Sequence, residues 1–163
     1  MTDATYQRHC DWMARAIALA AEAGAAGDVP VGALVVDEHQ RLIASASNRR
    51  ERDHDPTAHA EVLALRAAGR ALGTWHLSAC TLYVTLEPCP MCAGAIGLSR
   101  IARVVYGAAD PKAGALRSVL NLPESPASNH RVIVLDGILA DQCEHQLQTW
   151  FIQRRQGVRP ALA

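Results

Sequence analysis

The stretch TLYVTLEPCPMCAGAIGLS at residues 81–99 joins a strand pattern directly to a helix pattern. Its first six residues are aliphatic, aromatic or β-branched, which is typical of a strand. Pro88 and Pro90 end that strand, and a helix is predicted over residues 89–99. A strand that passes straight into a helix favours an α/β fold, in which helices cover a sheet.

The rest of the chain repeats these two patterns. Apolar residues at three- and four-residue spacing predict helices, and short β-rich runs bounded by polar turns predict strands. Asp55 and Pro56 are expected to cap and begin one of the helices. The helices are predicted at residues 8–24, 56–72, 89–99 and 139–156, and the strands at residues 32–37, 42–47, 81–86, 103–107 and 131–135. Together they predict a three-layer α-β-α sandwich around a five-stranded mixed sheet, in one domain over residues 1–163.

Composition excludes several classes of protein. The chain has 163 residues, of which 50% are hydrophobic and 20% are charged, so it is not a disordered polypeptide. Thirty of the residues are alanines, which predicts close contacts between helices and sheet. The five cysteines are odd in number, which argues against a disulfide scaffold. The chain has neither a signal-peptide pattern nor an apolar run of about 18 residues, so we expect a soluble, cytoplasmic protein outside the membrane.

The charges balance overall, with 16 basic against 16 acidic residues, but they are unevenly placed. The closing segment after His145 carries Arg154, Arg155 and Arg159 and no acidic side chain. This cationic segment is compatible with a partner that carries phosphates. On composition alone, the simpler interpretation is favoured, in which these arginines keep a surface helix in solution.

Two short motifs carry groups that bind metal ions. His59-Ala60-Glu61 and Cys89-x-x-Cys92 each lie near the start of a predicted helix. Two thiolates and one imidazole suit Zn²⁺, and a three-residue step places both sulfurs on one face of a helix. The positive end of the helix dipole also lowers the pKa of a thiol in the first turn. The sequence therefore predicts a zinc site formed by His59, Cys89 and Cys92.

The number of ligands distinguishes a catalytic zinc site from a structural one. A structural site has four protein ligands, whereas a catalytic site keeps a position for water. No fourth ligand is evident near these motifs. Glu61 lies about 200° around an ideal helix from His59, so it is poorly placed as a ligand and suited to moving protons. Taken alone, the Cys-x-x-Cys pair could be redox-active or simply buried, and the His-x-Glu pair could be a surface pair.

The two motifs together resemble the signature of zinc-dependent nucleobase deaminases, in which His-x-Glu is followed by Pro-Cys-x-x-Cys. More narrowly, the chain is similar from end to end to the bacterial tRNA-specific adenosine deaminases. The similar segments are HDPTAHAE at 54–61, LYVTLEPCPMCAGAI at 82–96, SRIARVVYGAADPKAGA at 99–115, NHRV at 129–132 and the closing helix with Phe151 and Arg154-Arg155-Gln156.

That resemblance implies a cytidine-deaminase-like fold, a homodimer with one Zn²⁺ per subunit, and conversion of the wobble adenosine of a tRNA anticodon stem-loop to inosine. In the implied reaction, Glu61 moves protons between water, the adenine ring and the departing amine. Asn48 matches a family position that hydrogen-bonds the base, and the backbone N–H of Ala60 is a further candidate contact. The candidate RNA-binding residues are Lys112, Arg154 and Arg155.

One position departs from that family, and two other functions stay open. Arg117-Ser118 stands where the family usually carries Gly-Ser, within a long loop predicted over residues 110–130. A bulky cation there changes the conformation of the loop or adds a contact to a phosphate. The zinc motif also fits a deaminase of a free base or nucleoside, of guanine or cytosine type. A zinc-stabilised binding module is the third possibility, but it would need no proton shuttle, so Glu61 counts against it.

Overall fold

The computed structural model describes residues 2–157. Within that range the chain forms four α-helices, five β-strands and one short 3₁₀ helix at Leu122–Glu124. The helices are α1 (Asp3–Ala25), α2 (Ala60–Leu72), α3 (Pro90–Leu98) and α4 (Ala140–Arg155). The strands are β1 (Gly32–Asp37), β2 (Leu42–Ser47), β3 (Cys80–Leu86), β4 (Arg103–Ala108) and β5 (Ile133–Leu135). None of the helices in this part of the chain is long and apolar enough to cross a membrane.

The strands form one mixed sheet in the order β2-β1-β3-β4-β5. β1 runs antiparallel to both β2 and β3, whereas β3, β4 and β5 are parallel to one another. Parallel neighbours need a crossover connection, and α3 supplies the one between β3 and β4. Helices α2 and α3 pack on one face of the sheet, and α1 and α4 pack on the other. This arrangement confirms the predicted three-layer α-β-α sandwich with a five-stranded mixed sheet.

Small residues let the helices approach the sheet closely. The buried face of α1 presents Ala16, Ala20 and Ala23, all of which are inaccessible to solvent. Gly32, at the start of β1, packs against this face, and a Cβ atom there would come within 2.7 Å of the Ala20 nitrogen. The alanine-rich composition therefore produces the close helix-to-sheet packing that was predicted.

The helix predicted to begin at Pro56 begins at Ala60 instead. The Asp55 side chain accepts hydrogen bonds from the backbone N–H and the hydroxyl of Thr57, both at 2.7 Å. Asp55 therefore closes a turn rather than capping a helix. His59 takes the N-cap position of α2 in an extended conformation. As a result, the His-x-Glu motif lies across the helix N-terminus itself.

Two other boundaries differ from the prediction by a few residues. α1 begins earlier, at Asp3, because the Thr2 side chain caps it. β5 is shorter than the predicted 131–135 and comprises only Ile133–Leu135. The Arg131 side chain, just before it, donates a hydrogen bond to the Pro123 carbonyl at 2.9 Å. This contact ties Arg131 to the preceding loop.

Candidate metal centre

The two metal-binding motifs meet where the N-termini of α2 and α3 lie side by side. Cys89 is the N-cap of α3, which begins one residue later than predicted, and Cys92 lies in the first turn of that helix. The Nδ1 of His59, at the N-cap of α2, lies 3.7 Å from the Cys89 sulfur and 3.5 Å from the Cys92 sulfur. The three candidate ligand atoms all lie within 4.8 Å of one another, so they are positioned to bind one metal ion.

The charges of the two sulfurs explain why a cation fits between them. A hydrogen bond from Cys92, aided by one from His59, lowers the pKa of Cys89 to about 4. The same contact with Cys89, together with burial, raises the pKa of Cys92. Zinc prefers thiolate and imidazole ligands, and its charge would stabilise the second thiolate. This donor set therefore fits zinc, with the three protein ligands that are typical of a catalytic site.

Glu61 lies next to this site without joining it. The residue is in the first turn of α2 and is only 4% exposed. Burial raises the pKa of its carboxyl group above the usual range. The converging group of metal ligands found within residues 2–157 does not include Glu61. The carboxyl group of Glu61 therefore lies beside the ligands and keeps its proton to a higher pH than an exposed carboxyl group does.

A cavity of about 210 Å³ lies against the metal ligands. Asn48, which lines it, is 6% exposed, and its Nδ2 donates a hydrogen bond to the Val29 carbonyl at 3.3 Å. Its Oδ1 has no hydrogen-bond partner in the described part of the chain, so this buried acceptor is available to a ligand. The cavity is lined by residues of both motifs and of the neighbouring loops: Val29, Val31, Asn48, Arg50, His59, Ala60, Glu61, Leu86, Glu87, Cys89, Asp110 and Ala113.

All three candidate RNA-binding residues are exposed. Lys112 is exposed on the loop after β4, next to Ala113 in the cavity lining. Arg155 is exposed at the end of α4 and lines a second cavity, of about 270 Å³. Val29 lines both cavities, so the two share a wall. Lys112 therefore lies beside the cavity at the metal ligands, whereas Arg155 lines the neighbouring cavity.

Arg154, the third candidate, already has partners within the protein. Its Nη1 donates a hydrogen bond to the Gly27 carbonyl at 3.0 Å, and its guanidinium lies 5.1 Å from the centre of the Trp150 ring. Arg154 thus holds α4 against the loop after α1. Arg159, the remaining arginine of the closing segment, lies outside the described residues.

Two buried carboxylates were not predicted from the sequence, and one of them, Glu87, lines the cavity. Asp28 is fully buried and accepts hydrogen bonds from the backbone N–H groups of Glu51 and Arg52, at 2.7 and 3.4 Å. Glu87 is 2% exposed and binds the loop after β4. Burial alone would raise the pKa of Glu87, but hydrogen bonds, led by those from Ser118, bring it below its ordinary value. In the sequence, Glu87 directly follows a predicted strand and Asp28 lies in the break after the first predicted helix, but neither position indicates burial.

The fold and the metal site are those of the zinc-binding deaminases. The family model described as the cytidine and deoxycytidylate deaminase zinc-binding region matches residues 6–108, and the chain belongs to that family. Zinc is therefore the metal for which His59, Cys89 and Cys92 are positioned.

Individual relatives identify the branch of the family. The tRNA-specific adenosine deaminase of Bacillus subtilis (strain 168) is 45% identical over 150 residues, covering 92% of each chain. A solved structure from studies of A-to-I editing by tRNA:A34 deaminases is 42% identical, with a TM-score of 0.82 over 84% of this chain and 99% of that one. The guanine deaminase from Nitrosomonas europaea is more distant, at 28% identity and a TM-score of 0.72 over 85% of this chain and 82% of that one. Within the deaminases, the chain belongs with the tRNA-specific adenosine deaminases, as its sequence predicted.

Proposed function

We propose that this chain is a tRNA-specific adenosine deaminase, which converts the wobble adenosine of a tRNA anticodon to inosine. The observation that carries the proposal is a buried glutamate, Glu61, beside three converging zinc ligands at a cavity. The names of the more similar relatives support adenosine in tRNA as the substrate, rather than a free base. We further propose that residues 1–163 act as one domain, and that the enzyme works in the cytoplasm, where its tRNA substrate is found.

The proposed reaction replaces the amino group on adenine C6 with oxygen from water. Zinc bound by His59, Cys89 and Cys92 would lower the pKa of a water molecule and so supply a nucleophile at neutral pH. Glu61 takes one proton from this water and delivers it to ring N1 while the C6–O bond forms. Glu61 then carries the remaining hydroxyl proton to the amine, the C6–N bond breaks, and ammonia leaves. A carboxyl group whose pKa is raised by burial suits both transfers, because it can take up a proton and return it within one cycle.

Two residues of the cavity lining are proposed to hold the base. Asn48 offers its Oδ1, which has no partner among residues 2–157, to an N–H group of adenine. Ala60 is the first residue of α2, where the backbone N–H has no acceptor within the helix, and it offers this donor to a ring nitrogen. A buried acceptor and a nearby donor suit a base better than they suit a purely apolar ligand.

We propose that the anticodon stem-loop contacts the exposed cations around the cavity. We assign one phosphate contact each to Lys112 and Arg155, and the exposure of both cations supports this assignment. Arg154 is proposed to contribute less to RNA binding, because its guanidinium also anchors α4. With a net charge of zero, the protein must obtain its affinity from such local cations and from bases that enter cavities.

We also propose that two copies pair through the outer face of α3. This short helix carries apolar residues on all sides, so one chain alone leaves part of it uncovered. Leu98 is 72% exposed there, beside a groove of about 270 Å³ between α3 and the loop at 122–132. In sedimentation velocity, Leu98→Asp is expected to convert dimers to monomers. The matched variant Leu72→Asp, at an exposed leucine on α2, should leave the mass unchanged. A monomeric wild-type protein would contradict this proposal.

The proposed function is tested by measuring ammonia release from four substrates: an anticodon stem-loop RNA with adenosine at the wobble position, free adenosine, guanine and cytidine. We expect release from the RNA alone, with inosine at the wobble position. Release from guanine or cytidine instead would support a deaminase of free bases or nucleosides. A zinc-loaded protein that releases ammonia from none of the four would support a binding module.

A further inference from the structure

The Glu87 carboxylate sits at the centre of a set of hydrogen bonds from one loop. Its Oε1 accepts the backbone N–H groups of Leu116, Arg117 and Ser118, at 3.1, 2.7 and 2.9 Å. Its Oε2 accepts the backbone N–H of Asp110 at 3.1 Å and the hydroxyl of Ser118. All these donors belong to residues 110–118, which we call the 110–118 loop. A buried carboxylate with this many donors is fully satisfied by the loop alone.

The loop packs so tightly on this carboxylate that a side chain at its centre would not fit. A Cβ atom at Gly114 would overlap the Glu87 carboxylate and come within 2.6 Å of the Asp110 carbonyl oxygen. The next residue, Ala115, donates its backbone N–H to the Pro88 carbonyl at 2.9 Å. The loop is therefore fastened directly to the segment that leads into the zinc ligand Cys89.

The same loop forms part of the wall of the base-binding cavity. Asp110 and Ala113 line the cavity next to Glu87 itself. Lys112 lies between them in the chain, with its backbone N–H bonded to Asp110 Oδ1 at 2.9 Å. The conformation of the loop thus sets both the position of this wall and the position of a cation at the rim.

The far end of the loop is tied to the sheet by the residue that departs from the family. The Arg117 guanidinium forms an ion pair with Asp136 and donates a hydrogen bond to the Val134 carbonyl at 3.0 Å. Val134 belongs to β5, so this contact joins the loop to the edge of the sheet. The bulky cation therefore adds a second attachment to a loop that Glu87 already holds.

We propose that Glu87 is a positioning residue: it sets the conformation of the 110–118 loop, and through that loop the wall of the base-binding cavity. Arg117 fastens the far end of the same loop. Glu87 acts neither as a zinc ligand nor as a substrate contact, because its oxygens are already occupied by the loop donors. The expected change in KM rests on the proposed function, whereas the expected change in hydrogen exchange of the loop does not.

The main test is Glu87→Gln, which keeps the shape of the side chain but removes its charge and places an N–H₂ group opposite one of the loop donors. We expect zinc content to stay stoichiometric and kcat to stay within about threefold of wild type, because the ligands and Glu61 are untouched. KM for the anticodon stem-loop should rise about tenfold, as expected for the loss of one hydrogen bond to a charged group. Hydrogen exchange of the loop backbone amides should become about tenfold faster.

Two further variants make the test decisive. Ser118→Ala removes one donor and keeps the charge, so KM should rise by about threefold, with faster exchange in the loop. Asp37→Asn is the matched control, because Asp37 similarly accepts backbone N–H groups, from His39 and Arg41, at the opposite end of β1 from the site. It should lower the unfolding midpoint and leave KM unchanged.

The outcomes separate this inference from the proposed function. Wild-type KM and wild-type loop exchange in Glu87→Gln would overturn the inference, and so would loss of kcat at unchanged KM. If Glu87→Gln does not fold, Ser118→Ala decides in the same way. If the wild-type protein does not deaminate the RNA, the proposed function fails, while exchange of the loop amides still tests whether Glu87 holds the loop.

Discussion

The two walls of the cavity are built in different ways. The helix wall carries His59 at the N-terminus of α2 and the Cys89-x-x-Cys92 pair at the N-terminus of α3, where one helical turn already brings the two sulfurs together. The loop wall consists of the loop between β2 and α2 and the 110–118 loop. The buried carboxylate of Asp28 holds the first loop, and that of Glu87 holds the second. Local helix geometry thus places the two cysteines, whereas the shape of the cavity depends on long-range contacts.

The largest expected effect comes from breaking the helix wall with Cys89→Ala. Two remaining ligands bind zinc poorly, so metal content and turnover should both be lost. The unfolding midpoint should fall by about 10 °C, since a ligand at about a thousand times its dissociation constant stabilises by roughly 4 kcal/mol. Metal analysis and thermal unfolding measure these changes. Cys80→Ala, at a buried cysteine in β3, is the control and should retain zinc; stoichiometric zinc in Cys89→Ala would refute the ligand set.

The next largest effect is expected from Glu61→Gln, which tests proton transfer on the helix wall independently of zinc binding. Glu61→Gln should keep zinc and the unfolding midpoint but lower kcat by about 10²–10⁴-fold, because an amide cannot carry the protons. Single-turnover deamination at saturating RNA, with zinc measured in the same sample, tests this expectation. An active variant with full metal content would mean that another group shuttles the protons.

Asp28→Asn tests the loop wall on the side of Asn48. The fully buried carboxylate accepts the backbone N–H groups of Glu51 and Arg52, so its loss should lower the free energy of unfolding by about 2 kcal/mol. Loosening that loop moves Asn48, and KM for the anticodon stem-loop should rise by about tenfold with zinc unchanged. Urea unfolding and initial rates measure the two effects. Loss of zinc in this variant would contradict the separation of the two walls.

The smallest effects are expected from replacing the two arginines at the end of α4, to which we assign different roles. Arg155→Ala should weaken RNA binding and reduce the dependence of log affinity on log salt by about 0.7, the value for one phosphate contact to a single strand. Arg154→Ala should instead lower the unfolding midpoint, because the contacts with Gly27 and Trp150 are lost. Affinity measured across a salt titration distinguishes the two. An unchanged affinity in Arg155→Ala would move RNA recognition toward the 110–118 loop.

Much of the helix wall could be predicted from sequence, because its signals are local. The strand and helix over residues 81–99 and the Cys-x-x-Cys step lie within a few residues of one another. The start of α2 was predicted wrongly, since the same Asp55-Pro56 pattern that begins many helices here closes a turn with Thr57. Local patterns thus identified the ligands more reliably than the boundary of the helix that carries one of them.

The amino-acid sequence alone was enough to predict the α/β class, the alanine-rich close packing and the two metal-binding motifs, because each depends on residue types and short spacings within one segment. The burial of particular carboxylates, and the loops that they hold, became evident only from the folded structure. Asp28 and Glu87 bind backbone groups that lie 23 to 31 residues away, and no local pattern encodes such a partner. The folded structure also shows that Arg154, although it is exposed like Arg155, anchors α4 through the Gly27 carbonyl. Two neighbouring arginines point different ways around a helix, and only the packing of α4 against α1 determines which of them meets the protein.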